Sequence, residues 1–356
     1  HNFKIRVELE PDFPLTPALL RKGLPAYVAR TCRQDGLLPL DRGAMAAVAE
    51  HGVRMSGRRD KFTASVGKIA DLLREANYLA RARRSRCIRD RHIKAADARA
   101  IQRVNSCERR MTEAIADGTI MIATRGEVIG QINGLAVYDV GDYTFGRPSK
   151  ITAQVAAGRA GIINIERESG MSRATHDKGV HILSGYLRGI FAQKRPLSLT
   201  ASICFEQSYS GVEGDSASAS EVFAILSSLA EAPIRQDIAV TGSINQKGEI
   251  QAIGNVNEKI EGFYDVVRAA RPTGAEGVVI PESNAIDLML REDVLAAVKA
   301  RRFRIWTIKT IEEGLPILMG LKAGARRGDG TWTPGSVFDR ADRHLERLAR
   351  VLSEYD

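Results

Sequence analysis

Ser216 and Lys259 are the two side chains whose types, settings and separation of 43 residues could support covalent catalysis. A serine hydroxyl is a weak nucleophile at neutral pH and needs a base to take its proton. A lysine amine can be that base when burial lowers its pKa and leaves it neutral. Ser216 belongs to the run Tyr209-Ser-Gly-Val-Glu-Gly-Asp-Ser-Ala-Ser-Ala-Ser220, which joins a predicted strand ending near Gln207 to a predicted helix beginning near Ser216. Gly211 and Gly214 permit a tight turn there. A serine at a helix N-terminus lies beside unpaired backbone N–H groups that can stabilise an oxyanion. Taken alone, the same run also reads as an ordinary helix cap made by Asp215 and Ser216.

The second segment runs from Ile238 to Tyr264. It reads as a strand, a hairpin with Lys247-Gly248 in its turn, a second strand, a turn at Gly254 and a helix. Lys259 falls in the first turn of that helix. A lysine there usually faces solvent, and its charge is disfavoured by the helix dipole. Burial would add to that disfavour and free the amine to act as a base.

Other candidates are weaker. His176-Asp177 could form a relay, but no nucleophile motif accompanies it, and a loop hydrogen bond is the expectation. Ser218 and Ser220 read as packing serines of the helix. Tyr143-Thr-Phe-Gly-Arg-Pro-Ser149 reads as a loop that either lines a groove or packs on its own domain. Cys32, Cys87, Cys107 and Cys204 form no C-x-x-C pair, so they read as reduced thiols. No H-E-x-x-H is present, and no metal site is expected.

The elements that must position these residues differ along the chain. Phe3, Ile5, Val7 and Leu9 alternate with charged residues and predict a short strand over 3–10. Three prolines, Pro11, Pro14 and Pro17, end it, and Thr16 can cap a helix over about 17–33. From Asp41 to Arg110 the pattern is helical, with no strand signal. Asp41 can cap a helix to about His51. Ile69, Leu72, Leu73, Ala76, Leu79 and Ala80 mark one apolar stripe, and Ile93, Ala96, Ala100, Ile101 and Val104 another. Beyond Cys107, short apolar runs at 119–123, 135–140, 151–155, 161–166, 197–206, 237–244, 249–253, 277–281 and 303–308 predict strands. Helices are predicted between them near 178–193, 216–230, 257–270 and 284–300. Residues 324–335 read as a linker, followed by a short charged helix over 337–354.

The 356 residues carry a net charge of +9. The surplus sits in residues 52–110, with 17 Lys/Arg against 6 Asp/Glu. Such a block could bind nucleic acid, or be a solvated helical face or an interface to an acidic neighbour. No apolar run approaches the roughly 18 residues of a membrane span.

The run E-G-D-S-A-S, followed by T-G-S-x-x-x-K-G-E-x-x-x-I-G-x-V-x-x-K-I-E, resembles the proteolytic domain of Lon proteases, the B-type most of all. Those enzymes use a Ser–Lys dyad, a variant of triad logic. The resemblance implies Ser216 as nucleophile and Lys259 as base. It implies that Thr241 supports the lysine, and that Glu213 is the loop acid three residues before the serine. Asp215 is a further candidate to orient the lysine. Upstream, Gly130-Gln-Ile-Asn-Gly-Leu-Ala-Val-Tyr138 and His176-Asp-Lys-Gly-Val-His-Ile-Leu-Ser-Gly-Tyr-Leu187 carry the resemblance further, over about 111–320.

The expected fold is therefore multidomain: an N-terminal α-helical lid bundle followed by an α/β (α+β) proteolytic domain. Residues 1–35 would end an ATPase α/β subdomain, 36–110 would be its helical lid, 111–320 the proteolytic domain, and 321–356 a linker and charged helix. Segment His51-Gly-Val-Arg-Met-Ser-Gly-Arg-Arg-Asp-Lys61 falls where lid arginines approach nucleotide in such modules. No G-x-x-x-x-G-K-[ST] occurs in the sequence, so no nucleotide site is expected in this chain. A chain opening on His1 reads as a fragment, with ATP and Mg expected only of an upstream ATPase module. The implied function is an ATP-dependent serine endopeptidase that degrades unfolded or damaged proteins, as a cytoplasmic homo-hexamer. The alternatives are an ATP-independent Lon-like peptidase, and a DNA-binding or scaffold module built on the basic helices.

Overall fold

A computed structural model of the chain describes residues 7–141, 143–209, 211–270 and 272–355. It divides into two compact units, His1–Cys107 with Ile286–Met289, and Glu108–Ala285 with Leu290–Asp356.

The first unit contains β1 (Asp12–Pro14), α1 (Leu24–Gln34), α2 (Arg42–Ser56), β2 (Lys61–Thr63), α3 (Val66–Ala82) and α4 (Asp90–Val104). The apolar stripes of α3 and α4 meet: Ile69, Leu73, Ala76, Ile93 and Ala96 are buried with Val48 and Phe62 in one core. Asp41 caps α2 by accepting from the Ala44 N–H at 2.8 Å, and the helix continues past His51 to Ser56. Before α1 the chain forms a π-helical turn at Leu19–Gly23, entered by a hydrogen bond from the Leu19 N–H to Thr16 Oγ1.

Residues 3–6 of the strand predicted over 3–10 lie outside the described residues; of the rest, Val7 and Leu9 are exposed and belong to no strand. One expectation fails in this unit: β2, paired antiparallel with β1, lies inside the region expected to be purely helical. Neither three-residue strand is long enough to show a period of two.

The division between units falls within α5 (Ser106–Ala116). The second unit continues with β3 (Glu127–Val128), β4 (Gln131–Asp139), β5 (Thr144–Ala156), β6 (Gly161–Asn164), α6 (Ile165–Glu168), α7 (Ala174–Phe191), β7 (Thr200–Phe205) and α8 (Ser218–Ala230). It ends with β8 (Ile234–Arg235), β9 (Ile238–Val240), β10 (Ser243–Ile244), β11 (Ile250–Gln251), α9 (Val256–Ala269), β12 (Gly277–Pro281), α10 (Glu292–Lys299), β13 (Arg304–Ile308), α11 (Ile311–Met319) and α12 (Val337–Tyr355). Seven strands form one mixed sheet in the order β13-β12-β9-β4-β5-β7-β6. Pairs β4–β5 and β5–β7 are antiparallel; the other ladders are parallel. A helical lid region followed by a mixed α/β domain is the architecture the sequence implied.

Helix α8 is buried along almost its whole length, with Val222, Phe223, Leu226 and Leu229 in the main core. A helix that is apolar all round belongs inside a domain. Helix α12 covers it, burying Val337, Phe338, Ala341 and Leu345. Several sequence expectations are corrected here. Residues 119–123 form no strand. The segment 143–149 is not a loop: from Thr144 it is the first half of β5, which the glycine and proline at 146 and 148 had disguised. The segment 324–335 is not a loose linker, because Trp332 packs against Phe191 and Phe338 and lies under the Arg326 guanidinium.

Candidate active site

The nucleophile loop leaves β7 and turns twice, through Gly211 and Gly214, both at positive φ (87° and 85°). Only glycine adopts that conformation without strain. The loop is strapped midway, where the Val212 N–H donates to the Met171 carbonyl (2.8 Å) and the Arg173 N–H donates to the Val212 carbonyl (3.1 Å). Ser216 then sits in a turn just ahead of α8, two residues before the helix begins. This shifts the expected helix start from Ser216 to Ser218. The Ser218 and Ala219 N–H groups are already bonded, to the carbonyls of Asp215 (3.0 Å) and Gly242 (3.1 Å). The Ser216 N–H makes no hydrogen bond among the described residues.

Strand β9 brings Thr241 against this turn. The Gly242 N–H donates to the Ser216 carbonyl (2.8 Å), and the Thr241 hydroxyl donates to the same oxygen (3.2 Å). Ser220 Oγ donates to the Val240 carbonyl, and Ser218 Oγ accepts from the Ile244 N–H. Both serines are buried stitches between α8 and the neighbouring strands, as packing serines should be.

Lys259 arrives from the opposite side, on the first turns of α9. That helix starts from Asn255, held in the left-handed region at φ 54°. It approaches β5 so closely that a Cβ on Gly262 would overlap the Gly146 carbonyl oxygen, and one on Gly146 would overlap the Glu258 carbonyl. Asn284 fixes the preceding turn, accepting from the Ile253 N–H and donating to the Ile253 carbonyl, both at 2.9 Å. Lys259 is 3% exposed. Its Nζ donates to Ser216 Oγ at 2.9 Å and to Thr241 Oγ1 at 3.2 Å. Burial pulls its pKa from 10.5 down to about 8, against the nearby Asp215 charge, which favours the protonated amine.

Ser216, Lys259 and Thr241 are therefore brought together. Asp215 lies at the edge of the group, accepting from the Ser243 hydroxyl at 2.8 Å. Glu213 is not drawn in: it is exposed and pairs with the Arg173 guanidinium at 2.7 Å. Gly146, Gly262, Ser243 and Asn284 escaped the sequence reading. Asn284 follows β12 closely, but a lone asparagine after a strand carries no signal of what it will hold.

Two family models match the chain. One is described as "Archaeal LonB, AAA+ ATPase LID domain", over residues 39–103. The other is "Lon protease (S16) C-terminal proteolytic domain", over residues 207–320. Two relatives carry the name "Putative Lon protease homolog". The one from Escherichia coli is 40% identical, with 60% of this chain aligned to 36% of that protein. The one from Haemophilus influenzae is 31% identical, with 98% of this chain aligned to 58% of it. The archaeal Lon protease of Thermococcus kodakarensis is 27% identical, with 84% of this chain covering 45% of its length. The chain thus spans less than two thirds of each of these relatives. It belongs to the Lon protease family, of the B type, and carries an AAA+ lid and a Lon proteolytic domain.

Proposed function

We propose that this chain is the peptidase part of an ATP-dependent Lon-type protease, with Ser216 and Lys259 as its catalytic dyad. One observation carries the reading: a buried lysine amine, its pKa lowered to about 8, lies 2.9 Å from the hydroxyl of a serine in a strand-to-helix turn. Near pH 7 roughly a tenth of such an amine is neutral and able to accept a proton.

The neutral Lys259 amine takes the Ser216 hydroxyl proton as Oγ attacks the peptide carbonyl carbon. The carbonyl electron pair moves to oxygen, and the Ser216 N–H, which makes no other hydrogen bond among the described residues, is a donor for that oxyanion. As the C–N bond breaks, the Lys259 ammonium returns the proton to the leaving amine. Water then attacks the Ser216 ester with Lys259 again as base, releasing the acid and restoring the serine. Thr241 serves as orienter. Its hydroxyl proton is committed to the Ser216 carbonyl, so its oxygen is left to receive an N–H of Lys259.

The substrates in this reading are unfolded or damaged proteins, the assembly is a homo-hexamer, and the compartment is the cytoplasm. ATP and Mg would act in an upstream module: the sequence carries no G-x-x-x-x-G-K-[ST] phosphate loop, and in the lid Arg58 pairs with Asp60 at 3.2 Å. Among the described residues no helix is long and apolar enough to cross a membrane. The basic surplus of 52–110 supports a second reading, non-specific DNA binding by the lid. Salt-sensitive DNA retention with no hydrolysis of casein would favour it. The test of the dyad is Ser216→Ala, which should abolish cleavage of casein with the fold intact. Retained cleavage would end the reading.

A further inference from the structure

Behind the nucleophile lies a buried polar cluster that the dyad chemistry does not use. His176, in the first turn of α7 and not in a loop as the sequence implied, is 1% exposed. Its Nε2 meets Glu221 Oε1 at 3.1 Å, in the first turn of α8. Its Nδ1 meets Ser172 Oγ at 2.9 Å. The single hydroxyl proton of Ser172 is committed to Asp177 Oδ1 at 2.6 Å, so Ser172 Oγ can only accept from the ring. An imidazolium satisfies both contacts, donating from Nδ1 to Ser172 Oγ and from Nε2 to Glu221 Oε1. Asn164 Nδ2 also lies 3.4 Å from Nδ1, the longer of the two contacts to that nitrogen.

The surroundings agree with that charge. Glu166, from α6, and Glu221 are both fully buried, and among the described residues neither meets a lysine or arginine. Each keeps one oxygen with no hydrogen-bond partner. Asp177 faces the ring from α7. From β7, Phe205 packs edge-on at 5.3 Å, and Cys204 adds no charge, because burial and the Glu166 and Glu206 carboxylates push its thiol up to about 12. Burial opposes the His176 charge, but the Glu221 hydrogen bond and the Glu221, Glu166 and Asp177 carboxylates outweigh it and raise the His176 pKa.

We propose that His176 is a positioning residue for the nucleophile: as an imidazolium it ties α8, through Glu221, to the 171–173 strap that holds the Ser216 loop at Val212. Ser172 is itself bridged to Val212, four residues before the nucleophile, and Glu221 follows Ser216 by five. The ring thus links the chain before Ser216 to the helix after it. Losing the ring proton leaves Ser172 Oγ facing a nitrogen lone pair, which loosens the strap while the dyad residues stay intact. The proposal rests on Ser216 being the nucleophile.

The test joins ring ¹⁵N NMR on the intact chain, with His176→Gln used to assign the signal, to steady-state kinetics on an unstructured peptide. His176 should be doubly protonated at pH 7.5, where an ordinary histidine is neutral. Ser172→Ala should lower kcat about tenfold with KM within about twofold. The wild-type rate should fall at alkaline pH in step with loss of the ring proton, and His176→Gln should lack that fall. A singly protonated ring at pH 7.5 overturns the proposal, even if His176→Gln does not fold. Wild-type kcat in Ser172→Ala, with cleavage still abolished by Ser216→Ala, also overturns it and leaves the dyad standing. Cleavage surviving Ser216→Ala would fail the dyad instead, and the NMR result is independent of it.

Discussion

The Thr241 hydroxyl lies 3.2 Å from the Lys259 amine and donates its own proton to the Ser216 carbonyl, so it can only accept from the lysine. This one-way bond selects the lysine rotamer that faces Ser216 Oγ. Valine matches threonine in shape but lacks the hydroxyl. Thr241→Val should lower kcat at least about tenfold, about 1.4 kcal/mol of transition-state stabilisation, and leave KM nearly unchanged. Full turnover in this variant would reduce Thr241 to strand packing and turn attention to Asp215.

Helix α9 is seated by the contact between Gly262 and Gly146, with no room for a methyl group. Gly262→Ala should displace the helix, cost about 1–3 kcal/mol of stability, and lower activity by more than the stability loss explains. Thermal unfolding and peptide turnover measured side by side decide it. Wild-type activity would show that Lys259 tolerates movement of its helix.

The motifs around Ser216 and Lys259 were legible because glycines, a cap-like Asp-Ser pair and a short hairpin punctuate the chain close to the residues they place. Thr241 was legible only by resemblance, since a threonine ending a strand is ordinary. The glycine contact between β5 and α9 joins residues more than a hundred positions apart, and no local pattern announces it. Glu213 rests on the resemblance alone, as the loop acid three residues before the serine. Its neighbour across the strap, Arg173, claims it instead. His176 carries no local signal of its setting, because its partner Glu221 lies on another helix.

Lys259 should trade stability for function. Its folded pKa, about 8, lies below the 10.5 of a free lysine. Between those values the unfolded chain binds more protons, so the fold gains stability as pH rises. Below pH 8 the buried ammonium carries the full cost. Lys259→Met should be inactive and more stable than wild type at pH 7, by up to about 3 kcal/mol. That gain should shrink as pH climbs from 8 towards 10.5. Urea melts across this range give the comparison, and a gain that does not vary with pH would contradict the assignment.

Nucleotide should bind this chain weakly, because lid arginines offer few contacts without a phosphate loop. Calorimetry with ATP and Mg should show no micromolar binding. A tight isotherm would mean that residues 7–107 hold a site of their own.

The central claim is that a neutral Lys259 removes the Ser216 proton. The most direct measurement is the pH dependence of kcat/KM for peptide cleavage between pH 6 and 8.5. The rate should climb about tenfold per pH unit at the acid end and bend near pH 8, where the amine becomes mostly neutral. A flat profile across that range, with the fold intact throughout, would exclude Lys259 as the base.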